Sequence, residues 1–140
     1  MKLLYKIDYV LDASSIFEAY ENHIQYILYN NVTSSYSLIE LGNIIYKHSK
    51  LLKRISEQEA MKYMEDFYNI ISRMFVYEQH RVEEFLDILN ISLKFNITFY
   101  DASYVYLAYI LDLPLITEDK KLREKVKDFI QTFSLKDILE

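Results

Sequence analysis

Four acidic residues stand at positions where α/β proteins commonly carry chemistry. Asp12 ends a short apolar run that is typical of a buried strand, and Asp119 follows a second such run, Leu113–Ile116. Asp101 opens a helical pattern, and Glu40 lies in the first turn of another. Because sites in open parallel sheets form outside the carboxyl ends of the strands, we expect these acids to meet at one edge of a sheet.

The stretch from Ile97 to Leu122 predicts how two of the acids would meet. Residues 97–100 are β-branched or aromatic and strand-like in pattern, a helix starts at Asp101, and the next strand ends just before Asp119. A helix that connects parallel strands runs antiparallel to them, so its start lies beside the end of the following strand. Asp101 and Asp119 are therefore predicted to be neighbours.

Carboxylates gathered in this way favour a divalent cation. They repel one another unless a cation neutralises them or a proton is taken up. Oxygen ligands select Mg²⁺ or Mn²⁺ over zinc, and the sequence offers no cysteine and only three scattered histidines, His23, His48 and His80. Such an ion polarises phosphoryl oxygens and lowers the pKa of a bound water, so the predicted reaction is phosphodiester hydrolysis by metal-activated water.

Each acid also has an alternative, purely structural role. Asp12 and Asp101 could cap helices, and Asp119 could favour a helix start electrostatically. Glu40 follows Ser37 by three positions, which is the spacing of a capping box. Spacing alone does not choose between these roles and metal binding, so both interpretations stay open.

Three polar residues near the acids are candidates for supporting roles. Ser14 and Thr117 carry hydroxyls that would hydrogen-bond a carboxylate or a metal-bound water, although hydroxyls near helix starts mostly act as caps. Asn43 lies three positions after Glu40, hence on the same helical face. It would orient Glu40 or the substrate, or simply face solvent.

Alternating strand and helix patterns predict the elements that position these residues. Predicted strands cover residues 5–11, 74–77, 113–116 and, at an edge, 129–133. Predicted helices begin at the capping-box pairs Ser15/Glu18, Ser37/Glu40 and Ser56/Glu59, the first continuing to Leu28, and a fourth covers 82–93 with Phe85, Leu86, Leu89 and Leu93 on one side. The alternation indicates an α/β sandwich with a largely parallel sheet, in one domain spanning residues 1–140.

Composition excludes several classes of function. A net charge of −5 argues against a protein that coats nucleic acid, although Lys47, Lys50, Lys53 and Arg54 form a local basic cluster. One glycine and one proline leave no glycine-rich phosphate loop.

The central apolar run 104–111 is far shorter than the ~20 residues of a membrane helix, and the N-terminus does not resemble a signal peptide, so no membrane association is expected. The absence of cysteine suits a reducing interior, and we expect the cytoplasm.

Fourteen tyrosines raise the alternatives of base stacking and core packing. Most of them fall at amphipathic spacing, which favours packing against the core or a second subunit. Tyr104 and Tyr36 are the first candidates for stacking.

Four segments together resemble a known family. They are VLDAS at 10–14, SLIELGNII at 37–45, YDASYVYLA at 100–108 and LPLITEDKKL at 113–122. In this order and spacing they resemble the PIN-domain nucleases, specifically the VapC-type toxins of toxin–antitoxin pairs.

The resemblance implies a three-layer α/β/α fold and an endoribonuclease that depends on Mg²⁺ or Mn²⁺ and selects single-stranded RNA. It also implies a homodimer and a small antitoxin that occludes the site. The family's acids fall on Asp12, Glu40, Asp101 and Asp119 of this sequence, its supporting hydroxyls on Ser14 and Thr117, and a frequent polar position on Asn43.

Two other functions remain open at the level of sequence. A phosphatase similar to the haloacid dehalogenases would use Asp12 as a covalent nucleophile, although Ser14 stands where those enzymes usually have a second acid. A non-catalytic binding module would use the acids only as helix caps and the tyrosines for partner recognition.

Overall fold

The sheet of this protein is entirely parallel. The computed structural model describes residues 6–139. Five strands pair in the order β3-β2-β1-β4-β5, with bounds β1 Val10–Leu11, β2 Val32–Ser34, β3 Phe75–Tyr77, β4 Leu115–Ile116 and β5 Thr132–Phe133. The chain moves from β1 outward to β3 and then returns to the other side of β1 as β4. This reversal places a topological switch point between β1 and β4, which is where ligands bind in open α/β sheets.

Helices cover both faces of the sheet. Their bounds are α1 Ala13–Glu21, α2 Ser37–Tyr46, α3 Glu57–Ile71, α4 Val82–Phe95, α5 Phe99–Leu111, α6 Lys120–Val126 and α7 Leu135–Ile138. A 3₁₀ turn, Gln25–Ile27, and a π-helical turn, Lys47–Leu51, complete the helical segments. No helix in the described part of the chain is both long and apolar enough to cross a bilayer.

Alternation along the short strands separates two cores. Successive strand residues point to opposite faces; accordingly, Val10 and Leu115 pack in one core with α4, α5 and α6. Leu11 and Ile116 pack in the other, with α1, α2 and α3. The predicted three-layer α/β/α sandwich is therefore confirmed.

Several predicted boundaries are wrong. The first strand is only Val10–Leu11 within the described residues, and Tyr5, where it was predicted to begin, lies outside them. The first helix ends at Glu21 rather than Leu28, because Asn22 caps it and His23 takes a positive φ of 57°. The predicted strand at 129–133 reduces to Thr132–Phe133.

The strand-like lead-in at 97–100 is not a strand. The α4 helix ends at Phe95, and its C-cap residue Asn96 takes a left-handed conformation (φ 54°) that turns the chain. Thr98 then caps α5. Only a short connection separates the two helices, so residues 97–100 have no room to join the sheet. The predicted proximity of Asp101 and Asp119 does not depend on a strand at 97–100, because it follows from α5 and β4 alone.

Candidate active site at the carboxyl ends of β1 and β4

Asp12 stands immediately after β1 at the switch point. Its side chain is 5% exposed, and its Oδ1 accepts hydrogen bonds from the Ser15 backbone N–H (2.9 Å) and the Ser14 hydroxyl (2.8 Å). Its backbone N–H donates to the Ile116 carbonyl of β4 at 3.3 Å. Asp12 is thus the N-cap of α1, as its structural alternative predicted, and its carboxylate is fixed at the junction of β1 and β4.

Thr117 and Ser15 join β4 to the same junction. The Thr117 backbone N–H donates to Phe133 at 3.0 Å, and its hydroxyl accepts from the Asp119 N–H at 3.2 Å. The fully buried Ser15 hydroxyl donates to the carbonyls of Asp12 and Ile116, both at 3.0 Å. Sequence reasoning missed Ser15 because it was assigned to a capping box with Glu18.

Asp101 and Asp119 approach this junction from two other helices. Asp119 is exposed and caps α6, its Oδ1 accepting from the Leu122 N–H at 3.1 Å. Asp101 is half-buried in the first turn of α5, where the hydroxyl of Thr98 and not Asp101 caps the helix. The cap role considered for Asp101 is therefore wrong, and its carboxylate is not needed to begin the helix.

Glu40 enters from the first turn of α2. The predicted capping box with Ser37 is wrong: the N-cap is Tyr36, and the Glu40 N–H bonds to the Tyr36 carbonyl at 3.1 Å. Ser37 is buried inside the helix, and neither its hydroxyl nor the buried Oε1 of Glu40 has a hydrogen-bond partner within residues 6–139. Burial of a carboxylate oxygen costs free energy, and the neighbouring Tyr104 hydroxyl, which acts to lower the pKa of Glu40, offsets part of that cost.

The four carboxylates lie close enough to act on one another's charge. Burial, and then the negative charges of Asp12 and Asp119, raise the pKa of Asp101 to about 6. Burial, together with the charges of Asp12 and Asp101, raises the pKa of Glu40 to about 7. The pKa of Asp12 is also raised by burial, while hydrogen bonds from Thr117, Ser15 and Ser14 oppose the shift. The sequence prediction that these acids gather at one sheet edge agrees with this placement.

The donor set suits a hard cation, although the side chains do not yet enclose one. Within residues 6–139, no three acidic or histidine side chains are arranged closely enough to hold an ion as they stand. Oxygen donors with raised pKa values and an unpartnered Glu40 oxygen nevertheless match the ligand chemistry of Mg²⁺ or Mn²⁺. Asp12, Asp101, Asp119 and Glu40 are the residues that could hold it.

Tyr104 is part of the site but does not fit the stacking role considered for it. Its side chain is 1% exposed, so no base can reach the ring, and its hydroxyl lies beside the Glu40 carboxylate. Burial and the charge of Glu40 hold the pKa of Tyr104 well above its usual range. Its position three residues after Asp101, on the same helical face, was the signal that could have placed it here.

Asn43 is exposed on the face of α2 that carries Glu40. Together with Glu40 it lines a groove of about 430 Å³ that also includes Ile39, Ile44, Lys47 and Tyr100. Asn43 therefore lies beside the acids but contributes to the groove rather than to the carboxylate cluster.

No protein-family model matches the chain. Exonuclease VapC9 of Pyrobaculum aerophilum is 27% identical over 131 residues, which cover 92% of this chain and 93% of that protein. The resemblance to VapC-type PIN-domain proteins is confirmed.

Solved structures of other proteins share the fold of this chain. A crystal structure of a Pyrobaculum aerophilum protein superposes with a TM-score of 0.76 at 25% identity and covers 95% of this chain and 94% of its own. A toxin–antitoxin complex from Klebsiella pneumoniae shares only the fold, with a TM-score of 0.64, 11% identity and coverage of 90% and 96%.

The raised pKa values of the site predict an unusual dependence of stability on pH. A carboxyl whose pKa is higher in the folded state binds its proton more tightly there, so the folded state gains stability as pH falls. In the presence of a chelator, we expect the midpoint of thermal unfolding to rise as pH is lowered from 8 to 5, through the pKa values of Glu40 (about 7) and Asp101 (about 6). Circular dichroism measures the midpoint. The variant Asp101→Asn should flatten the curve, and a midpoint that falls over this interval would contradict the prediction.

Proposed function

We propose that this VapC-like chain is a divalent-metal-dependent endoribonuclease that hydrolyses single-stranded RNA. The observation that carries the proposal is the approach of four carboxylates, from the first turns or N-caps of α1, α2, α5 and α6, to the switch point between β1 and β4. The negative charges of their neighbours help to raise the pKa values of Glu40 and Asp101, which is the electrostatic condition that a divalent cation relieves. The likeness to a protein named an exonuclease supports the reaction class.

The surroundings of each site residue determine the role that we assign to it. A bound Mg²⁺ or Mn²⁺ would polarise the phosphoryl oxygens and lower the pKa of the attacking water. Asp12, Asp101 and Asp119 are proposed as its ligands, with Ser14 and Thr117 holding the Asp12 carboxylate in place. Glu40 reaches the same junction from α2 and is not needed to cap its helix, so it is proposed to orient the attacking water or to accept its proton.

The test is cleavage of labelled RNA by the purified chain. We expect cleavage with Mn²⁺ or Mg²⁺, none with a chelator, and products that end in 5′-phosphate and 3′-hydroxyl, because water and not a ribose hydroxyl is the nucleophile. A circular RNA distinguishes endonuclease from exonuclease action, since only an endonuclease can open it. Products with a 2′,3′-cyclic phosphate would refute the proposed nucleophile.

A phosphatase that uses Asp12 as a covalent nucleophile is less well supported. The Asp12 Oδ1 is engaged by Ser14 and Ser15, and Ser14 offers a hydroxyl where that chemistry needs an acid. A phosphoaspartate trapped at Asp12 would reverse this preference. A chain that binds neither Mn²⁺ nor RNA would favour the binding-module alternative.

We further propose that the protein acts in the cytoplasm as a homodimer restrained by a small antitoxin. The α4–α5 face exposes several large apolar residues that a second copy would cover: Leu86, Leu89, Leu93, Tyr109 and Ile110. The Klebsiella pneumoniae neighbour is a toxin–antitoxin complex, which supports an antitoxin partner. Light scattering measures whether the chain forms a homodimer. Co-purification of a small protein from the native host tests for the antitoxin.

A further inference from the structure

A groove beside the acids lies between one side of α2 and the start of α5, and apolar side chains form part of its rim. Ile39, Asn43 and Lys47 are spaced four apart on α2 and its continuation, so they form one ridge, and Tyr100 faces them from the first turn of α5. Ile39 is 71% exposed and Tyr100 is 55% exposed. Packing of the chain gives no reason for these side chains to face water at the edge of an acidic site.

The polar members of the groove complement a nucleotide. Lys47 is its cation, and Lys47 has no ion pair within residues 6–139. Asn43 presents a carboxamide, which can both donate to and accept from the edge of a base. Glu40 belongs both to the groove and to the carboxylate cluster, so whatever occupies the groove lies next to the reacting phosphate.

We propose that this groove holds an unpaired nucleobase of the RNA substrate, adjacent to the phosphate that is cleaved. The Tyr100 ring supplies the stacking surface, Ile39 closes the opposite side, Asn43 reads the base edge, and Lys47 neutralises a neighbouring phosphate. A base within a duplex is already stacked on both faces and cannot enter, so the groove selects single-stranded substrate. The inference rests on the proposed ribonuclease function and names its substrate subsite.

Binding measured without cleavage tests the groove directly. Fluorescence anisotropy with short labelled oligoribonucleotides of U, A or C, in the presence of a chelator, gives the affinity of the full chain. We expect Tyr100→Ala to weaken binding about tenfold or more, since each stacked base contributes on that order. Tyr100→Phe keeps the ring and should stay within about twofold of the native chain.

Two further variants separate the groove from general surface effects. Tyr68 on α3 is 64% exposed, comparable to Tyr100, and lies outside the groove, so Tyr68→Ala should bind as the native chain does. Asn43→Ala should reduce the difference in affinity among the three oligonucleotides, because it removes the group that reads the base edge. Thermal unfolding of every variant checks that the fold is retained.

The outcomes distinguish this inference from the nuclease proposal. If the native chain cleaves RNA but Tyr100→Ala changes neither oligonucleotide affinity nor KM, the groove is not a base site and the nuclease proposal stands. If Tyr100→Ala loses affinity but the native chain cleaves nothing with any divalent ion, the subsite stands and the nuclease proposal fails. A native chain that binds none of the oligonucleotides overturns the inference.

Discussion

Replacing Asp12 by Asn should abolish metal-dependent RNA cleavage and leave the fold intact. The carboxamide keeps an oxygen that can accept from Ser14 and the Ser15 N–H, so the cap of α1 survives. The charge, however, is lost from the acid that perturbs both Glu40 and Asp101. We expect the cleavage rate to fall roughly a thousandfold or more, as for other residues that act directly in catalysis.

The same substitution should raise stability in the absence of metal. Removing one of several mutually repelling carboxylates lowers the electrostatic free energy of the folded state at neutral pH. The matched control is Asp112→Asn, at the opposite end of α5, where a φ of 53° is well tolerated by asparagine and no reacting group is near. Asp112→Asn should cleave like the native chain. An Asp12→Asn variant that retains cleavage within tenfold would remove Asp12 from the mechanism.

The convergence of the acids was predictable because it follows from connectivity. A strand that ends at Asp12, a helix that starts near Asp101 and a strand that ends before Asp119 fix three chain ends at one edge once the sheet is parallel. The wrongly predicted strand at 97–100 does not affect this convergence, because the position of Asp101 depends on α5 and β4 alone. The distances between the acidic side chains were not predictable from the sequence, because they depend on rotamers and burial.

Identical spacing produced different local structure at two predicted capping boxes. Ser56 and Glu59 form the complete box, with both hydrogen bonds at 3.0 Å. Ser37 and Glu40 have the same spacing, but Ser37 lies within the helix and is fully buried. Ser37 does not form the box because its side chain is buried in the core, so it cannot turn outward to cap an exposed helix start. The acid left without a cap role is the one that the proposed mechanism needs.

The buried face of α4 is not the apolar side that its sequence pattern marks. Of Phe85, Leu86, Leu89 and Leu93, which the pattern places together on one side, the three leucines are exposed, and Ile88, Ile91 and Glu84 are buried instead. A glutamate counts as polar in any periodicity argument, so the pattern does not mark the side on which Glu84 is buried. The partners that make its burial possible lie in other elements, β3 and α5, and local sequence does not reveal them.

Glu84 joins three segments of the chain through its carboxylate. Its Oε1 accepts from the hydroxyls of Tyr77 in β3 and Tyr106 in α5, and its Oε2 accepts from the His80 backbone N–H at 3.2 Å. The side chain is 1% exposed. These bonds, that from Tyr77 above all, lower the pKa of Glu84 to about 2. Its stabilising effect is therefore present at neutral pH and is lost progressively as pH falls from about 4.5 towards about 2, the opposite direction from the active-site carboxylates.

Glu84→Ala should lower the free energy of unfolding by about 3 kcal/mol, because it removes a buried carboxylate that accepts from the buried Tyr106 hydroxyl, the half-buried Tyr77 hydroxyl and the His80 backbone N–H. Urea unfolding at pH 7, followed by circular dichroism, measures the change. Glu83→Ala is the matched control, since Glu83 occupies the same first turn of α4 but is exposed, so both variants lose a similar interaction with the helix dipole. If the two variants unfold at the same urea concentration, the buried carboxylate does not stabilise the fold. The choice of the buried side of α4 must then be attributed to the packing of Ile88 and Ile91 alone.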